Sequence, residues 1–468
     1  MKNNSRNKSP NSLLKAYKKE IHRFYRFVIP PGSRVLELGC GEGALLAALE
    51  PSFGLGIDID AAGIQIAMER YKDNNSLTFM TEDVEFFQWE NQTPFDYIIL
   101  SDLMPLLKDV QRTLSNLSSL CTYSTRIILN FHNNLWHPIL RLATFFKLRR
   151  GNDVENWLST ADVKNILYLS GFQVITEGTR VLLPFDVPFI SSFFNRFLAK
   201  LPILKHLCLT CTLLARPEPA EQPHLENKPS VSVLIPTRNE KGNVPGIFER
   251  TPKMGKWTEL VFVDGDSTDG TYEAIEEGIR QHESEWERCI LLKQTGKGKG
   301  QAVRQGFDEC RGDILMILDS DLTMPPEELP KYYDALVSNK GEFINGSRLV
   351  YPMENQAMRF LNMIANKAFA ILFTWLLGQP VKDTLCGTKV LWRRDYLSIA
   401  KNRHYFGDFD PFGDFDLLFG ASKLNLKIVD MPVRYRDRTY GDIKISRWTH
   451  GWLLLRMCWI AMQKLKLS

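Results

Sequence analysis

The sequence predicts an α/β protein of two domains joined by a proline-rich linker. At 468 residues the chain is too long for one ordinary core. Short runs of β-favouring residues alternate with helical stretches in both halves, which predicts βα units and mainly parallel sheets. Four prolines and a lack of apolar periodicity mark Arg216 to Ser230 as an exposed linker. We therefore expect domains at residues 1–215 and 230–468, with residues 216–229 between them.

The charge of the chain is mild overall and uneven along its length. A formal net charge of +4 gives no support to a nucleic-acid partner, and 44% hydrophobic with 24% charged residues is typical of a globular protein. From Val433 to Ser468, however, the sequence has eight Lys or Arg against two Asp. A basic segment that contains aromatic residues favours anionic partners, with phosphates or a membrane surface as the candidates.

Cysteine spacing and the sequence of residues 1–10 predict a location in the cytoplasm. The eight cysteines show no regular close spacing, which excludes a disulfide framework and fits a reducing cytoplasm. Cys208 and Cys211 would point to opposite faces of a strand, so packing is favoured over metal or redox use. Residues 1–10 lack the apolar core of a secretory signal, and no apolar run is long enough to predict a transmembrane helix.

In the first half, a predicted strand at Arg34–Leu38 runs into the glycine loop of residues 39–43 (GCGEG). Glycines let the backbone approach a ligand, and the helix that follows presents free N–H groups. Asp58 ends the next strand, nineteen residues after Gly39. A carboxylate at that point can accept hydrogen bonds from both hydroxyls of a ribose. Asp83 and Asp102 follow the next two predicted strands.

These motifs resemble those of the class I S-adenosylmethionine-dependent methyltransferases over roughly residues 10–215. The resemblance implies a Rossmann-like fold with S-adenosylmethionine as cofactor. Asp58 would bind its ribose, Asp83 its adenine and Glu37 its methionyl end, around the loop glycines Gly39, Gly41 and Gly43. Many members carry Glu-His after the fourth strand, whereas this chain has Met104-Pro105-Leu106. The catalytic base and methyl acceptor are therefore unassigned, and cofactor binding without turnover is the alternative.

Acidic residues follow the predicted strands of the second half. The apolar run Ile314–Leu318 leads into Asp319-Ser320-Asp321, and such a carboxylate pair can hold a hard divalent cation that in turn holds a diphosphate. Glu240 can reach a nucleobase or ribose, and Asp264 can accept from a uracil or guanine N–H. The glycine-lysine loop at residues 296–300 has no Ser or Thr after either lysine, which excludes a Walker-type NTPase. The pattern predicts chemistry on a nucleotide-sugar.

From about Ser230 onward the sequence resembles the family 2 glycosyltransferases of the GT-A fold. Four ordered motifs carry this resemblance: residues 235–240 (IPTRNE), 264–271 (DGDSTDGT), 298–302 (GKGQA) and 319–321 (DSD). It implies that Asp319 and Asp321 flank a Mg²⁺ or Mn²⁺ ion. It assigns the nucleotide-sugar to Pro236, Arg238, Glu240, Asp264, Asp266, Lys299 and Asp319. Thr323 stands where Gln or Ser is common, which leaves the metal preference open.

Within that family the likeness is to the dolichyl-phosphate mannosyltransferases and related polyprenyl-phosphate glycosyltransferases, through residues 437–444 (DRTYGDIK). A lipid phosphate is already anionic and needs docking cations instead of a base. Arginine binds phosphate through two parallel N–H groups, so an Arg→Lys change should not be neutral. The resemblance implies inverting sugar transfer to a polyprenyl phosphate, with the docking cations Arg348, Arg359, Arg438 and Lys444.

A glycan hydroxyl acceptor, as in surface polysaccharide assembly, is the alternative. A hydroxyl must lose its proton to a positioned carboxylate. Residues 407–416 (GDFDPFGDFD) carry four carboxylates, and Asp414 or Asp416 would be the base. In this alternative the first half only binds or scaffolds.

Two segments have the mixed apolar and basic character of an interfacial helix. Trp448–Leu467 combines tryptophans with arginines and lysines, which favours the membrane surface. Phe360–Leu377 is equally compatible with a core helix and an interfacial one. We expect a peripheral protein at the inner face of the cytoplasmic membrane. A smaller apolar stripe in the first half is expected to pack in the core: Phe193, Phe194, Phe197 and Leu198.

Overall fold

The computed structural model describes residues 12–89, 93–146, 156–185, 187, 189–219, 228–348, 350, 360–405, 413, 415–438, 440–441 and 447–467. The chain divides into two compact units, one ending at Glu218 and the other beginning at Pro219. Each unit has its own sheet and its own apolar clusters on both faces of that sheet. The prediction of two α/β domains is confirmed.

The first unit is built on a seven-stranded sheet with the order β3-β2-β1-β4-β5-β7-β6. Neighbouring strands from β3 to β5 are parallel, and β7 runs antiparallel to both β5 and β6. The strands are β1 Arg34–Leu38, β2 Phe53–Asp58, β3 Leu77–Thr81, β4 Tyr97–Ser101, β5 Arg126–His132, β6 Phe172–Arg180 and β7 Thr210–Pro217.

Helices cover both faces of this sheet, and so the central strands are almost continuously apolar. Ser159 begins α6 with a capping box to Asp162, which satisfies backbone donors at the first turn. The helices are α1 Ser12–Val28, α2 Ala44–Ala48, α3 Ala61–Arg70, α4 Val110–Leu117, α5 His137–Phe145, α6 Thr160–Leu169 and α7 Ile190–Arg196.

The second unit has a seven-stranded sheet with the order β10-β9-β8-β11-β13-β12-β14. Its strands pair in parallel except for β13, which is antiparallel to β11 and β12. The strands are β8 Val231–Thr237, β9 Thr258–Asp264, β10 Arg288–Lys293, β11 Ile314–Ile317, β12 Phe343–Ser347, β13 Lys389–Trp392 and β14 Ile428–Pro432.

The carboxyl ends of β8, β9 and β11 share one edge of the sheet, and this edge gathers the polar loops that the sequence analysis singled out. The last helix continues as a π-helix at Met462–Lys466. The helices are α8 Val244–Arg250, α9 Thr271–His282, α10 Lys299–Glu309, α11 Leu329–Val337, α12 Phe360–Leu377, α13 Arg393–Lys401, α14 Phe415–Lys423 and α15 Arg447–Ala461.

Strand β7 extends two residues beyond residue 215, the predicted end of the first domain. Arg216 and Pro217 are the last residues of β7. The Arg216 side chain is fully buried and donates to Gln173 Oε1 across the antiparallel pair with β6, at 3.2 and 3.0 Å. Proline is tolerated at the end of a strand. The proline-rich composition therefore begins within the last residues of β7 and does not mark the end of the strand.

The prediction that the first-half apolar stripe packs in the core is wrong for Phe193 and Phe197, whereas Phe194 and Leu198 are half-buried. Phe193 and Phe197 are 52% and 44% exposed. The buried face of α7 is polar instead, because Ser191 and Asn195 turn inward. These two side chains bond the backbone of the preceding loop, and the aromatic rings consequently face outward.

No helix among the described residues has both the length and the apolar character needed to cross a bilayer.

Candidate active sites

The glycine loop of the first unit follows β1 and has the backbone shape of a ligand cradle. Gly39, Gly41 and Gly43 have φ values of 75°, 52° and 73°, in the left-handed region that glycine adopts without strain. A Cβ at Gly43 would lie 2.5 Å from the Phe79 ring. The loop is tied to β2, because the amide of Gly41 donates to Asp58 Oδ2 at 2.7 Å. The predicted pair of glycine loop and ribose acid is therefore brought together.

Glu37 lies in the middle of the sheet with one carboxylate oxygen unsatisfied. Its side chain is buried and its Oε2 atom has no hydrogen-bond partner among the described residues. Burial is the main reason that the pKa of Glu37 rises to about 8; nearby Asp58 adds to the effect, while a backbone hydrogen bond from Leu46 opposes it. A buried acceptor of this kind fits a cationic or hydrogen-bonding group of a ligand, such as the amino group of a methionyl moiety.

Asp83 follows β3, and its Oδ1 accepts from the amide of Glu85 at 3.0 Å. It is partly buried at the same edge of the sheet as Asp58. The structure thus places all the predicted cofactor residues along the carboxyl ends of β1, β2 and β3.

A polar cluster at the ends of β4 and β5 was missed as a unit by sequence reasoning. Asp102 accepts from Tyr17 Oη at 2.8 Å and from Asn130 Nδ2 at 2.7 Å, and His132 Nδ1 lies 3.8 Å from its Oδ1. Burial, followed by the charge of Asp102, raises the pKa of Tyr17 well above its ordinary value. Only Asp102 had been noted; Tyr17 lies 85 residues away in sequence, and no local pattern links the two.

In the second unit, two loops interlock at the ends of β8 and β9. The amide of Gly265 donates to the Thr237 carbonyl at 2.8 Å, and the amide of Thr268 donates to Asn239 Oδ1 at 2.8 Å. Asp264 is buried and accepts from the amide of Ser267 at 3.0 Å. Backbone amides and short side chains of the two loops thus hold Asp264, a predicted acceptor for a nucleoside, in place.

Pro236, near the end of β8, and the loop residues Arg238 and Asp266 are further predicted donor-binding residues. Pro236 is partly buried, and its carbonyl accepts from Ser320 Oγ at 2.9 Å, which connects the end of β8 to the Asp-Ser-Asp segment. Arg238 and Asp266 have exposed side chains, and Asp266 has a φ of 55°. These positions line an open edge where a nucleotide can approach from solvent.

Both acids of the Asp-Ser-Asp segment have cationic partners. Lys299 Nζ lies 2.6 Å from Asp319 Oδ1. Burial raises the pKa of Asp319, but the surrounding cations, Lys299 first, outweigh it, and the pKa is lower than usual. Asp321 Oδ2 lies 2.6 Å from Arg438 Nη2, and the other terminal nitrogen of Arg438 lies 3.0 Å from Glu240 Oε1. Arg438 therefore bridges the metal motif and the nucleotide loop.

The pair Asp319 and Asp321 fits a divalent ion of the magnesium type, which takes one or two protein carboxylates and completes its shell with phosphate and water oxygens. The Thr323 hydroxyl donates to Asp321 Oδ1 at 2.7 Å and orients that carboxylate. Within the described ranges, no three His, Cys, Asp or Glu side chains are grouped to hold a metal ion by themselves. An ion here would depend on oxygens of the donor.

Arg348 has a buried partner that the sequence did not reveal. Its Nε and Nη2 atoms donate to the two oxygens of Asp383 at 2.7 and 2.9 Å, and its guanidinium lies 5.2 Å from the centre of the Tyr435 ring. Asp383 is fully buried; the neighbouring Arg348 outweighs burial and lowers the pKa of this carboxyl far below its usual value. Arg359 and Lys444, the other two predicted docking cations, lie outside the described residues.

Asp416 does not have the environment predicted for a general base. It lies at the start of α14 and its side chain is only 5% exposed. Arg403 and Arg304 contact its Oδ2 at 2.8 and 3.3 Å. This carboxylate oxygen is therefore occupied by two guanidinium donors and screened from solvent. Asp414, the other candidate, lies outside the described residues.

Gly387 is a site residue that the sequence analysis overlooked. A Cβ built on it would lie 2.1 Å from Asp319 Oδ2 and 2.5 Å from Lys299 Nζ. The backbone before β13 therefore passes directly over the Asp319–Lys299 pair. The run Cys386-Gly387-Thr388 offered no sequence signal, because isolated glycines are common in loops.

Comparison with known families agrees with this division of the chain. Residues 12–177 match the family model of a methyltransferase domain, and residues 232–398 match that of glycosyl transferase family 2. The chain joins a methyltransferase domain to a family 2 glycosyltransferase domain.

Two curated proteins similar to this chain are named as transferases. A dolichol-phosphate mannosyltransferase of Pyrococcus furiosus is 38% identical over 223 residues, 46% of this chain and 59% of the relative. An undecaprenyl-phosphate 4-deoxy-4-formamido-L-arabinose transferase of Proteus mirabilis is 28% identical over 220 residues, 46% of this chain and 63% of the relative. The chain thus spans about three fifths of the length of these relatives.

Among solved structures, the magnesium protoporphyrin IX methyltransferase of Synechocystis with bound S-adenosylhomocysteine is 20% identical. That match covers 44% of this chain and 83% of the other, with a TM-score of 0.30.

Proposed function

We propose that the glycosyltransferase domain moves a sugar from a nucleotide-diphosphate-sugar to a polyprenyl phosphate. The bridge from Arg438 to Glu240 and Asp321 carries this proposal, because it brings a guanidinium to the metal motif where an anionic acceptor would react. The base required by a hydroxyl acceptor has no counterpart at Asp416, which is buried between two arginines. The relatives whose names include an undecaprenyl or dolichol phosphate support the same acceptor class.

The reaction is a direct displacement with inversion. A phosphate oxygen of the acceptor attacks the anomeric carbon, and the bond from that carbon to the nucleotide diphosphate breaks. Asp319 and Asp321 would hold a divalent cation that offsets the charge of the leaving diphosphate. Lys299 neutralises the same region from the loop side. Arg438 docks the acceptor phosphate. Glu240 keeps the Arg438 guanidinium in place, and Asn243 Nδ2 in turn donates to Glu240 Oε2 at 2.8 Å.

The methyltransferase domain transfers a methyl group from S-adenosylmethionine in this proposal. The unsatisfied Oε2 of Glu37 and the cradle between Gly41 and Asp58 support cofactor binding at this position. Asp102, directly after β4, and His132, at the end of β5, would take the proton that the methylated substrate releases. Binding of cofactor without methyl transfer would reduce the domain to a scaffold.

The proposed enzyme acts as a peripheral protein at the cytoplasmic membrane face. In α15, Leu454, Met457 and Cys458 pack into the core. Trp452 and Trp459 are 70% and 56% exposed on its other side, with Arg456 exposed between them. Tryptophan and arginine on the free side of a helix suit the headgroup region, from which a lipid acceptor is reached.

The test is transfer of radiolabelled sugar from a panel of UDP-, GDP- and dTDP-sugars to polyprenyl phosphate in detergent with Mg²⁺. We expect metal-dependent, chloroform-extractable label that is lost in Arg438→Ala. Asp416→Asn is the discriminating variant, because loss of a base costs about 10²–10⁴-fold in rate. Donor hydrolysis without lipid label, together with such a rate loss in a folded Asp416→Asn protein, would contradict the proposal.

A further inference from the structure

The helix α7 of the methyltransferase domain has its polar side inward. Asn195 exchanges two hydrogen bonds with the backbone of Leu183, both at 2.8 Å, and Ser191 bonds the backbone of Phe185 and Val187. This arrangement holds the preceding loop and turns the aromatic residues of α7 into solvent. Removing large aromatic side chains from water is favourable in ordinary folding, so their exposure here needs another explanation.

The helix α5 and the short 3-10 turn before it, Asn134–Trp136, present a second exposed apolar row. Trp136 and Leu140, one turn apart, pack against the core of the domain. On the other side, Leu135, Ile139 and Leu142 are each more than half exposed, and Phe145 and Phe146 continue this row. Their spacing is that of one helical face. A surface helix normally carries polar residues on the side that faces solvent, whereas α5 has an apolar row on that side as well as on the core side.

Hydrogen bonds connect the segments that carry these two exposed rows. Asn133 Nδ2 donates to the carbonyls of His206 and Cys208 at 2.9 and 3.0 Å, and Trp136 Nε1 donates to that of Leu207 at 2.9 Å. The start of α5 is thus fixed to the end of the segment that follows α7. We call the exposed side of α5 together with Phe189–Leu207 the apolar surface.

The two sequence segments that contain the apolar surface have basic residues and no acidic ones. The sequence from residue 133 to residue 150 contains no Asp or Glu, and the same holds from residue 189 to residue 216. Arg141 on α5 and Arg196 on α7 are exposed. A protein partner for such a surface would have to supply acidic groups around an apolar centre, whereas an anionic bilayer supplies both over a wide area.

We propose that the apolar surface is a membrane-binding surface of the methyltransferase domain itself, with an anionic phospholipid bilayer as its partner. Phe189, at 91% exposed, and Phe145, at 79%, are its most exposed rings. They enter the headgroup boundary while the arginines contact lipid phosphates. This site belongs to the first unit, and it does not depend on either transfer reaction.

One consequence rests on the proposed methyl transfer. Strand β5 ends at His132, and α5 begins at His137. The acceptor end of the site and the apolar surface are therefore joined by one short connection. If methyl transfer takes place there, membrane binding through the apolar surface would bring the acceptor end of the site close to the bilayer.

The test is flotation of the full-length protein with vesicles of phosphatidylcholine alone or mixed with phosphatidylglycerol. The double variant Phe145→Glu/Phe189→Glu is made in a Trp452→Glu/Trp459→Glu background, so that α15 does not mask the effect. We expect Phe145→Glu/Phe189→Glu to lower partition into anionic vesicles by about tenfold or more relative to its Trp452→Glu/Trp459→Glu parent, with an unchanged thermal unfolding midpoint. The matched control is Tyr168→Glu/Leu169→Glu, whose side chains are 64% and 56% exposed elsewhere on the domain; it should bind as its parent does.

Equal partition of the Phe145/Phe189 variant and its parent would overturn the proposal, as would equal loss in the control. A concentration-dependent dimer that this variant abolishes would identify a second copy of the chain as the partner, which also contradicts it. Vesicle binding is measured without cofactor or sugar donor, so failure of the proposed transfer reactions would leave this result unaffected.

Discussion

At the scale of single residues, Arg438 decides how the glycosyltransferase site is connected. Its two terminal nitrogens contact carboxylates from two different loops, Glu240 and Asp321. These two acids raise its pKa although burial opposes them, and the guanidinium stays charged. The sequence predicted a docking cation at this position; the structure adds that the same cation orders the site.

Replacement of Arg438 by lysine should therefore be severe. A lysine has a single nitrogen and cannot contact both carboxylates in this geometry. We expect the initial rate of sugar transfer to polyprenyl phosphate to fall by about 10²-fold, as for loss of one positioned donor. Arg250→Lys is the control, because Arg250 forms an exposed pair with Glu327 and should keep the wild-type rate. An Arg438→Lys enzyme that keeps the wild-type rate would show that the bridge is dispensable.

The ionisation of Glu37 should make the stability of the first unit depend on pH. Burial raises its pKa from 4.5 to about 8 in the folded chain. A carboxyl with a raised folded pKa contributes stability that is fully present below the unfolded value and is lost as pH rises through the folded one. Between these values the free energy of unfolding of the first unit should fall by about 1.4 kcal/mol per pH unit.

This slope can be measured by pulse proteolysis in urea at several pH values, following peptides of the first unit. Glu37→Gln should remove the slope, because the amide does not ionise. Glu42→Gln, five residues later in the glycine loop and at an exposed carboxylate paired with Arg70, should keep it. An unchanged slope in Glu37→Gln would mean that another group causes the pH dependence.

At the scale of elements, the backbone before β13 closes the glycosyltransferase site from one side. Gly387 allows it to pass against Asp319 and Lys299, and an alanine there would place a carbon within 2.5 Å of both side chains. We expect Gly387→Ala to lower sugar-transfer activity by about tenfold or more, because misplacing catalytic groups by about 1 Å can cost 10²-fold. Sugar-transfer rates with the cognate donor would measure it.

A matched glycine is available for comparison with Gly387. A Cβ at Gly451 meets no heavy atom within 4 Å. Gly451→Ala should leave the rate unchanged and slightly stabilise α15, since alanine favours a helix over glycine. Equal rates for both variants would show that the close approach at Gly387 has no functional weight.

At the scale of the whole molecule, each unit has its own sheet, cores and ligand loops. The predicted boundaries at residues 215 and 230 stay a proposal, and the structure moves the first of them to the end of β7. The predicted ligand loops of each unit follow strands of that unit's own sheet, so the proposed functions of the two units should be independent.

Independence is tested with one variant in each domain. Asp321→Asn should lower sugar transfer by about 10²-fold or more, because a metal ligand loses its charge, and should leave S-adenosylhomocysteine binding by calorimetry unchanged. Asp58→Asn should weaken that binding and leave sugar transfer intact. Loss of both functions in either variant would show that the two domains are coupled.

The sequence by itself determined the elements that local chemistry specifies. Glycine loops after apolar strands, and acids at the ends of those strands, predicted two α/β domains and brought Gly41 with Asp58, and Glu240 with Asp264, to the correct sheet edges. These signals are short-range, because a parallel strand and the turn after it place polar residues at a fixed edge.

Only the tertiary structure decided the pairings between distant residues. The Arg438–Asp321 contact, the burial of Asp416 between two arginines and the Tyr17–Asp102 bond join residues far apart in sequence. The inward polar face of α7 was equally hidden, because Ser191 and Asn195 bond a loop backbone that composition does not reveal. Periodicity shows that a helix has two faces, but packing decides which of them is buried.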